Sequence, residues 1–141
     1  MTAPLALGTA ATFVWLGMVL AISFLEAPLK FRAPGVDLRI GLGIGRLVFR
    51  ALNSVEAVLA AVLVIAVLAG GAPARILTPT VIGALLLVVQ VAAVRPGLSR
   101  RSGRILAGQG SPRSRAHFAY VALEAAKVAA LLATGSMLLT A

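Results

Sequence analysis

The sequence predicts an all-α fold, an integral membrane four-helix bundle with the N-terminus and the C-terminus both outside. Of its 141 residues, 60% are hydrophobic and only 12% are charged, whereas a soluble domain has about 25% charged residues. The mean hydropathy is +1.03, and four apolar stretches are long enough to cross a hydrocarbon core about 30 Å thick. The basic residues gather in two connectors between these stretches, as the positive-inside rule describes for membrane proteins.

One domain covers residues 1–141, and turn signals separate its four spans. The first span is expected to end before Pro28 and the second at the pair Gly70 and Gly71, because proline and glycine interrupt helices. The third is the shortest and stops at Arg95, which a proline and a glycine follow. We place the spans at residues 5–27, 47–69, 80–94 and 117–139.

Eleven of the 13 Lys and Arg residues lie in or beside the first and third connectors. These residues are Lys30, Arg32, Arg39, Arg46, Arg50, Arg95, Arg100, Arg101, Arg104, Arg113 and Arg115. Arg75 alone lies in the second connector, and Lys127 lies inside the fourth span. We therefore predict that both basic connectors face the cytoplasm and that the chain is a multi-pass protein of the inner (plasma) membrane. The net charge of +9 then needs no nucleic acid partner.

The basic connectors are predicted to contact the anionic headgroups of the lipid bilayer. Residues 28–35 are typical of an interfacial anchor, and residues 100–107, in which arginines accompany Ile105 and Leu106, favour a short surface helix. The residues predicted to contact headgroups are Lys30, Arg32, Arg46, Arg50, Arg100, Arg101 and Arg104. The glycines within residues 41–45 are expected to form a flexible re-entrant turn that opens the second span. An anion site on their backbone amides is the alternative.

Ionisable side chains inside the spans indicate a buried polar site, because each costs about 2.5 to 3.5 kcal/mol in hydrocarbon and marks function by default. In the fourth span, His117, Tyr120, Glu124 and Lys127 follow one another at spacings of 3, 4 and 3 residues and so share one helix face. We predict a polar pocket that opens to the cytoplasm and binds a ligand. Its predicted lining residues are Glu26, Asn53, Glu56, Gln90, His117, Tyr120, Glu124 and Lys127.

Lys127 allows two interpretations of this site. In the structural one, Lys127 pairs with Glu56 or with Glu124 and fixes how the second and fourth spans pack. In the functional one, two carboxylates near one lysine leave an acid unpaired, and His117 and Tyr120 stand at the mouth of a path for a proton or a ligand.

No catalytic residue, metal ligand or cofactor is predicted. The chain has no cysteine and one histidine, so thiolate chemistry is excluded, and a di-iron site, which needs Glu-x-x-His motifs on facing helices, lacks ligands. Haem binding would depend on His117 alone, close to the interface. No P-loop, serine elbow or catalytic triad is present, so the sequence does not favour an enzyme.

A group of residues in and just after the first span carries a family resemblance: Trp15, Gly17, Phe24, Ala27, Pro28 and Phe31. With a basic four-helix frame and a histidine in the last helix, the pattern resembles the small membrane proteins of the transmembrane protein 205-like group (domain of unknown function 4149). This resemblance would cover the whole chain and implies a role in handling solutes or drugs. The chain is also similar to four-helix haem-biosynthesis proteins of the protoporphyrinogen oxidase type, but those carry a histidine in the first helix and this sequence has none there.

The leading hypothesis is a small inner-membrane protein that binds or transports a small solute or ion through the polar pocket. Because four helices are few for a solute path, a homodimer is the expected assembly. One alternative is a non-catalytic accessory or assembly subunit of a larger membrane complex. The other is a membrane enzyme that acts on a lipid or a porphyrin, with Glu56 or Glu124 as acid or base.

Overall fold

The computed structural model describes residues 1–94, Pro96, Arg100 and 115–141, and the described part contains four long helices and no strand. The prediction of an all-α chain with four apolar helices is therefore confirmed. Each helix contains a stretch that is long and apolar enough to cross a membrane, as expected of a multi-pass membrane protein. The helices are α1 over Ala3–Arg32, α2 over Leu38–Ala69, α3 over Ala74–Val89, with a π-helical continuation over Gln90–Val94, and α4 over Arg115–Leu139.

The first two helices run antiparallel. Leu5, near the start of α1, lies against Gly70, just past the end of α2. Phe31, near the end of α1, packs on Gly41 in the first turns of α2. These contacts at opposite ends show that α1 and α2 lie side by side along their whole length.

The last two helices are antiparallel as well and close the bundle. Gly83 of α3 lies beside Ala130 of α4, and Gln90 reaches the backbone of Tyr120. Since α4 also packs on α1, each helix contacts the helix before it and the helix after it in a ring. Both chain termini therefore lie at the same end as the turn between α2 and α3. We call this the terminal end and the opposite end the connector end.

The half of the bundle next to the terminal end, here the terminal half, has a core of apolar side chains. Its buried members come from every helix. They include Leu5, Leu63, Val67, Ile76 and Leu138.

The first helix continues through Pro28 to Arg32, beyond the predicted end of the first span. A proline inside a helix lacks an N–H and its ring clashes with the carbonyl four residues earlier. The turns before Pro28, over Leu20–Glu26, are π-helical, and Ala27 N–H donates to the carbonyl of Ile22, five residues earlier. This wider turn relieves the proline clash, so the helix is not interrupted.

The second helix begins at Leu38, before the predicted start at residue 47, because Asp37 caps it. The Asp37 carboxylate accepts a hydrogen bond of 2.8 Å from Ile40 N–H, a stabilising arrangement at a helix N-terminus. The glycines of residues 41–45 therefore lie inside a helix, and the predicted re-entrant turn is wrong. Their backbone amides are engaged in the helix, which also removes the alternative anion site. Gly41 and Gly45, one turn apart, instead receive Phe31 and Lys30 of α1.

The turn between α2 and α3 contains the predicted glycine pair. Gly71 has a φ of +64°, a left-handed conformation that favours glycine. The third helix then begins at Ala74 and contains Pro79 near its start, so it is longer at this end than the predicted span.

Candidate functional site

The ammonium group of Lys127 lies between three side chains from three helices. Its Nζ is 2.5 Å from Glu56 Oε1 of α2 and 2.5 Å from Glu124 Oε1 of α4. It also donates a hydrogen bond of 2.8 Å to Gln90 Oε1, where α3 becomes π-helical. An ammonium has three donors, so each of its protons has an acceptor.

The first helix completes this arrangement with two donors. Trp15 Nε1 donates to Glu56 Oε1 at 2.9 Å, and Ser23 Oγ donates to Glu124 Oε2 at 2.7 Å. Every helix of the bundle thus contributes a side chain. We call the set the ion cluster, and its members are Trp15, Ser23, Glu56, Gln90, Glu124 and Lys127.

The Gln90 amide group is held from both sides. While its oxygen accepts from Lys127, its Nε2 donates at 3.4 Å to the carbonyl oxygen of Tyr120 and at 3.4 Å to Glu124 Oε1. Because a lysine can only donate, the amide orientation is fixed by Lys127. Gln90 therefore links α3 to Glu124 and Lys127 of α4.

The charged members of the ion cluster are removed from the protein surface. Lys127 and Glu56 are 0% exposed and Glu124 is 2% exposed. With all three groups ionised, the cluster holds two negative charges and one positive charge, a formal charge of −1. Uncompensated charge in a low-dielectric interior costs several kcal/mol, so the site favours one additional positive charge.

Two π-helical segments lie at the level of the ion cluster, and each presents a polar side chain to it. Ser23 belongs to the segment Leu20–Glu26, and Gln90 is the first residue of Gln90–Val94. Such segments occur often at functional sites, because the wider turn reorients side chains that an α-helix would direct elsewhere.

Four of the predicted site residues come together in the ion cluster: Glu56, Gln90, Glu124 and Lys127. Tyr120 lies next to them, through its carbonyl oxygen, and its ring meets the ring of Phe49 edge-on at 5.9 Å. The structural interpretation paired Lys127 with Glu56 or with Glu124, whereas its side chain ends between the two and contacts both. Two carboxylates do lie near one lysine, as in the functional interpretation, but each of them contacts the ammonium group.

The remaining predicted site residues either lie away from the ion cluster or have side chains outside the described part of the structure. Glu26 is partly exposed, and its Oε2 is 3.7 Å from Lys30 Nζ, one turn further along α1. Asn53 is half-buried on α2, three residues before Glu56. His117 lies in the first turn of α4, but its side chain is outside the described part of the structure.

Sequence reasoning did not assign Trp15 and Ser23 to the site. A tryptophan in an apolar span is usually a core residue, yet its indole N–H needs an acceptor when buried. Trp15, Val19 and Ser23 recur at four-residue steps and so follow one face of α1. That spacing, with two carboxylates on other spans, is the signal that could have identified them.

The residues predicted to contact headgroups fall into two groups. Arg32, Arg46, Arg50 and Arg100 are exposed. Lys30 is turned inward, with its ammonium near Glu26 and 5.6 Å from the centroids of the Phe31 and Phe49 rings. Arg101 and Arg104 lie outside the described residues, as does most of the predicted surface helix at residues 100–107.

Within the described part of the chain, no three side chains of the metal-binding types His, Cys, Asp and Glu converge. Comparison of the chain with models of protein families, with curated proteins and with solved structures gives no match. The resemblance to the transmembrane protein 205-like group therefore stays a prediction.

Proposed function

We propose that this protein is a multi-pass protein of the inner membrane that binds or moves a small solute or ion, and that the ion cluster is its binding site. The observation that carries the proposal is that two carboxyl groups and one ammonium group, those of Glu56, Glu124 and Lys127, converge where the helices meet and are buried there. With all three ionised, their formal charge is −1. A buried site with one excess negative charge is complementary to a small cation.

The distribution of basic residues supports an orientation with both termini outside. Arg32, Arg39, Arg46 and Arg50 lie toward the connector end, which would then face the cytoplasm. At a rise of about 1.5 Å per residue, Lys127 is about 18 Å along α4 from Leu139. In a core about 30 Å thick, the ion cluster would thus lie nearer to the cytoplasmic face, in keeping with a ligand that enters from that side.

Thiol labelling tests this orientation directly, because the chain contains no cysteine. Thr2→Cys should react with an impermeant maleimide added to intact cells. Val36→Cys, in the turn between α1 and α2, should react only after the membrane is permeabilised. The reverse pattern would place the ion cluster near the outer face and contradict cytoplasmic entry.

Ligand-dependent stabilisation tests the binding site. The purified protein in detergent is heated in the chlorides of lithium, sodium, potassium and choline at constant ionic strength. A ligand that binds only the folded state stabilises by RT ln(1 + [L]/Kd), which is about 2.7 kcal/mol at a hundred times Kd. We expect lithium, sodium or potassium to raise the unfolding temperature above its value in choline chloride.

Variants of the two carboxylates locate the effect. Glu56→Gln and Glu124→Gln each remove the excess negative charge and should abolish the stabilisation by the cation in a folded protein. Asp37→Asn is the matched control, since it removes a carboxylate outside the ion cluster and asparagine caps a helix equally well. If the two glutamine variants respond to the cation as the control does, the ion cluster is not the binding site.

The second candidate function is that of a non-catalytic accessory subunit. It is favoured because Lys127 needs no further hydrogen-bond acceptor. Each proton of its ammonium has an acceptor, so the cluster can hold the helices in register without a ligand. In this case the protein should copurify in mild detergent with larger subunits, whereas a binding protein should elute alone, as the homodimer that four helices suggest.

A further inference from the structure

We propose that the ion cluster holds either a proton on Glu124 or one small monovalent cation, and that the two exchange one for one. This inference rests on the proposed function and specifies the ligand of that same site. It follows from two features of the cluster, its charge and the direction of its hydrogen bonds.

The charge of the cluster leaves room for one positive charge. Among the described residues, the charged groups of the cluster are Glu56 of α2 and Glu124 and Lys127 of α4, and the titratable residue Tyr120 of α4 lies beside them through its carbonyl oxygen. Trp15, Ser23 and Gln90 bring no charge from α1 and α3. One proton or one monovalent cation neutralises the remaining −1. A second positive charge would leave the buried site at +1, so proton and cation compete.

The hydrogen bonds distinguish three carboxylate oxygens of the cluster, Glu56 Oε1, Glu124 Oε1 and Glu124 Oε2. Glu56 Oε1 accepts from the indole N–H of Trp15 and from Lys127. Glu124 Oε1 accepts from Lys127 and from the Gln90 amide nitrogen. These groups can only donate, so a proton added to either oxygen would meet another donor.

Glu124 Oε2 differs, because its partner is a hydroxyl. Ser23 Oγ lies 2.7 Å away and donates to the ionised carboxylate. A hydroxyl can also accept, so a protonated Glu124 can donate to Ser23 across the same distance. Of the five bonds to these three oxygens, this is the one whose direction can reverse when the oxygen takes a proton.

Exchange then conserves charge. When a monovalent cation enters, the proton leaves Glu124 Oε2 for solvent, and the oxygens of Glu124 and Ser23 become ligands of the cation. Lys127 keeps its contacts with Glu56 and Gln90 throughout. The cluster is neutral before and after, and one proton is released for each cation bound.

The single tryptophan provides the readout, since Trp15 is bonded to Glu56 within the cluster. Purified protein in detergent is titrated with lithium, sodium or potassium chloride, with choline chloride keeping the ionic strength constant, while Trp15 fluorescence is followed at several pH values. Competition at one site raises the half-saturating cation concentration about tenfold for each pH unit lowered, once the proton-loaded form dominates. In weakly buffered solution, a pH indicator should report about one proton released per cation bound.

Glu124→Gln is the decisive variant, because its amide can still donate to Ser23 and imitates the proton-loaded form. It should show neither the cation response nor the proton release, whereas Asp37→Asn should show both. If Glu124→Gln does not fold, infrared spectroscopy of the unaltered protein replaces it. The carbonyl band of a protonated carboxyl group should then be present without cation and disappear on its addition.

The outcomes separate the two levels of the proposal. A cation that binds with an affinity independent of pH and releases no proton overturns the exchange but leaves the proposed function intact. If no cation changes the fluorescence or the unfolding temperature at any pH, both are overturned.

Discussion

The two halves of the bundle bury polar side chains in different ways. In the terminal half, each buried threonine hydroxyl donates to the carbonyl four residues earlier on its own helix: Thr12 to Gly8, Thr80 to Ile76 and Thr134 to Ala130. In the ion cluster, Trp15, Ser23 and Lys127 instead bond to residues of other helices. Buried polar groups therefore bond within their own helix in the terminal half, whereas in the ion cluster they bond across helices.

This difference indicates what determines the packing of each half. In a bilayer, where we propose that this bundle lies, the hydrophobic driving force between helices is weak, so their association depends on close packing and on hydrogen bonds across helices. The terminal half has only packing between its helices, which tolerates small shifts. Each bond of the ion cluster requires a specific partner at a specific position along the neighbouring helix, so the cluster fixes the register of all four helices.

The largest expected effect comes from removing the charge at the centre. Lys127→Met keeps the length of the side chain but leaves Glu56 and Glu124 facing each other without a cation. Loss of one partner from a buried ion pair costs about 3 to 5 kcal/mol. We expect a loss of this size in the free energy of unfolding, measured by titration with a denaturing detergent.

Leu131→Met, one turn further along α4, is the matched control for this change. Leu131 is buried in the apolar core, and a volume-conserving exchange there costs less than about 1.5 kcal/mol. The triple variant Glu56→Gln, Glu124→Gln, Lys127→Met removes all three charges and should recover most of the loss. Equal costs for Lys127→Met and Leu131→Met would contradict the view that the ion cluster dominates the packing.

An intermediate effect is expected from Trp15→Phe, which removes the indole donor to Glu56. A hydrogen bond to a charged group contributes about 1.5 to 3 kcal/mol. Because the smaller ring also leaves space, the bond is isolated by a double-mutant cycle with Glu56→Gln, whose coupling energy we expect at about 0.5 to 3 kcal/mol. Thr12→Val, whose hydroxyl bonds only to its own helix, should show no coupling with Glu56→Gln. Coupling of both residues to Glu56 would remove the distinction between the two halves.

The sequence predicted the helices well because apolar stretches of about 20 residues are typical of helices that cross a membrane. It did not predict where α1 ends and where α2 begins, because these outer turns extend past the apolar stretch and are set by local features. Asp37 caps α2 far ahead of the predicted span, and the π-helical turns before Pro28 carry α1 through a residue that usually ends a helix.

The ion cluster could be predicted in part, for a similar reason. Glu56, Gln90, Glu124 and Lys127 are costly in hydrocarbon, so their presence in the spans alone marks them. Trp15 and Ser23 carry no such cost. Their role depends on how α1 is positioned along its axis relative to α2 and α4. A single sequence does not contain this information.

The smallest effects are expected from two buried glycines of the terminal half, where shape alone determines packing. A Cβ on Gly135 would lie 2.8 Å from the ring of Phe13, whereas a Cβ on Gly83 would find its nearest neighbour, Ala130, at 3.8 Å. Alanine is favoured over glycine inside a helix by about 0.5 to 1 kcal/mol. Gly83→Ala should therefore stabilise the protein by about that amount. Gly135→Ala should destabilise it, since overpacking costs about 1 to 3 kcal/mol and outweighs the helix preference. The same detergent titration measures both, and a Gly135→Ala variant as stable as Gly83→Ala would show that the terminal half adjusts its shape freely and that the ion cluster alone sets the register.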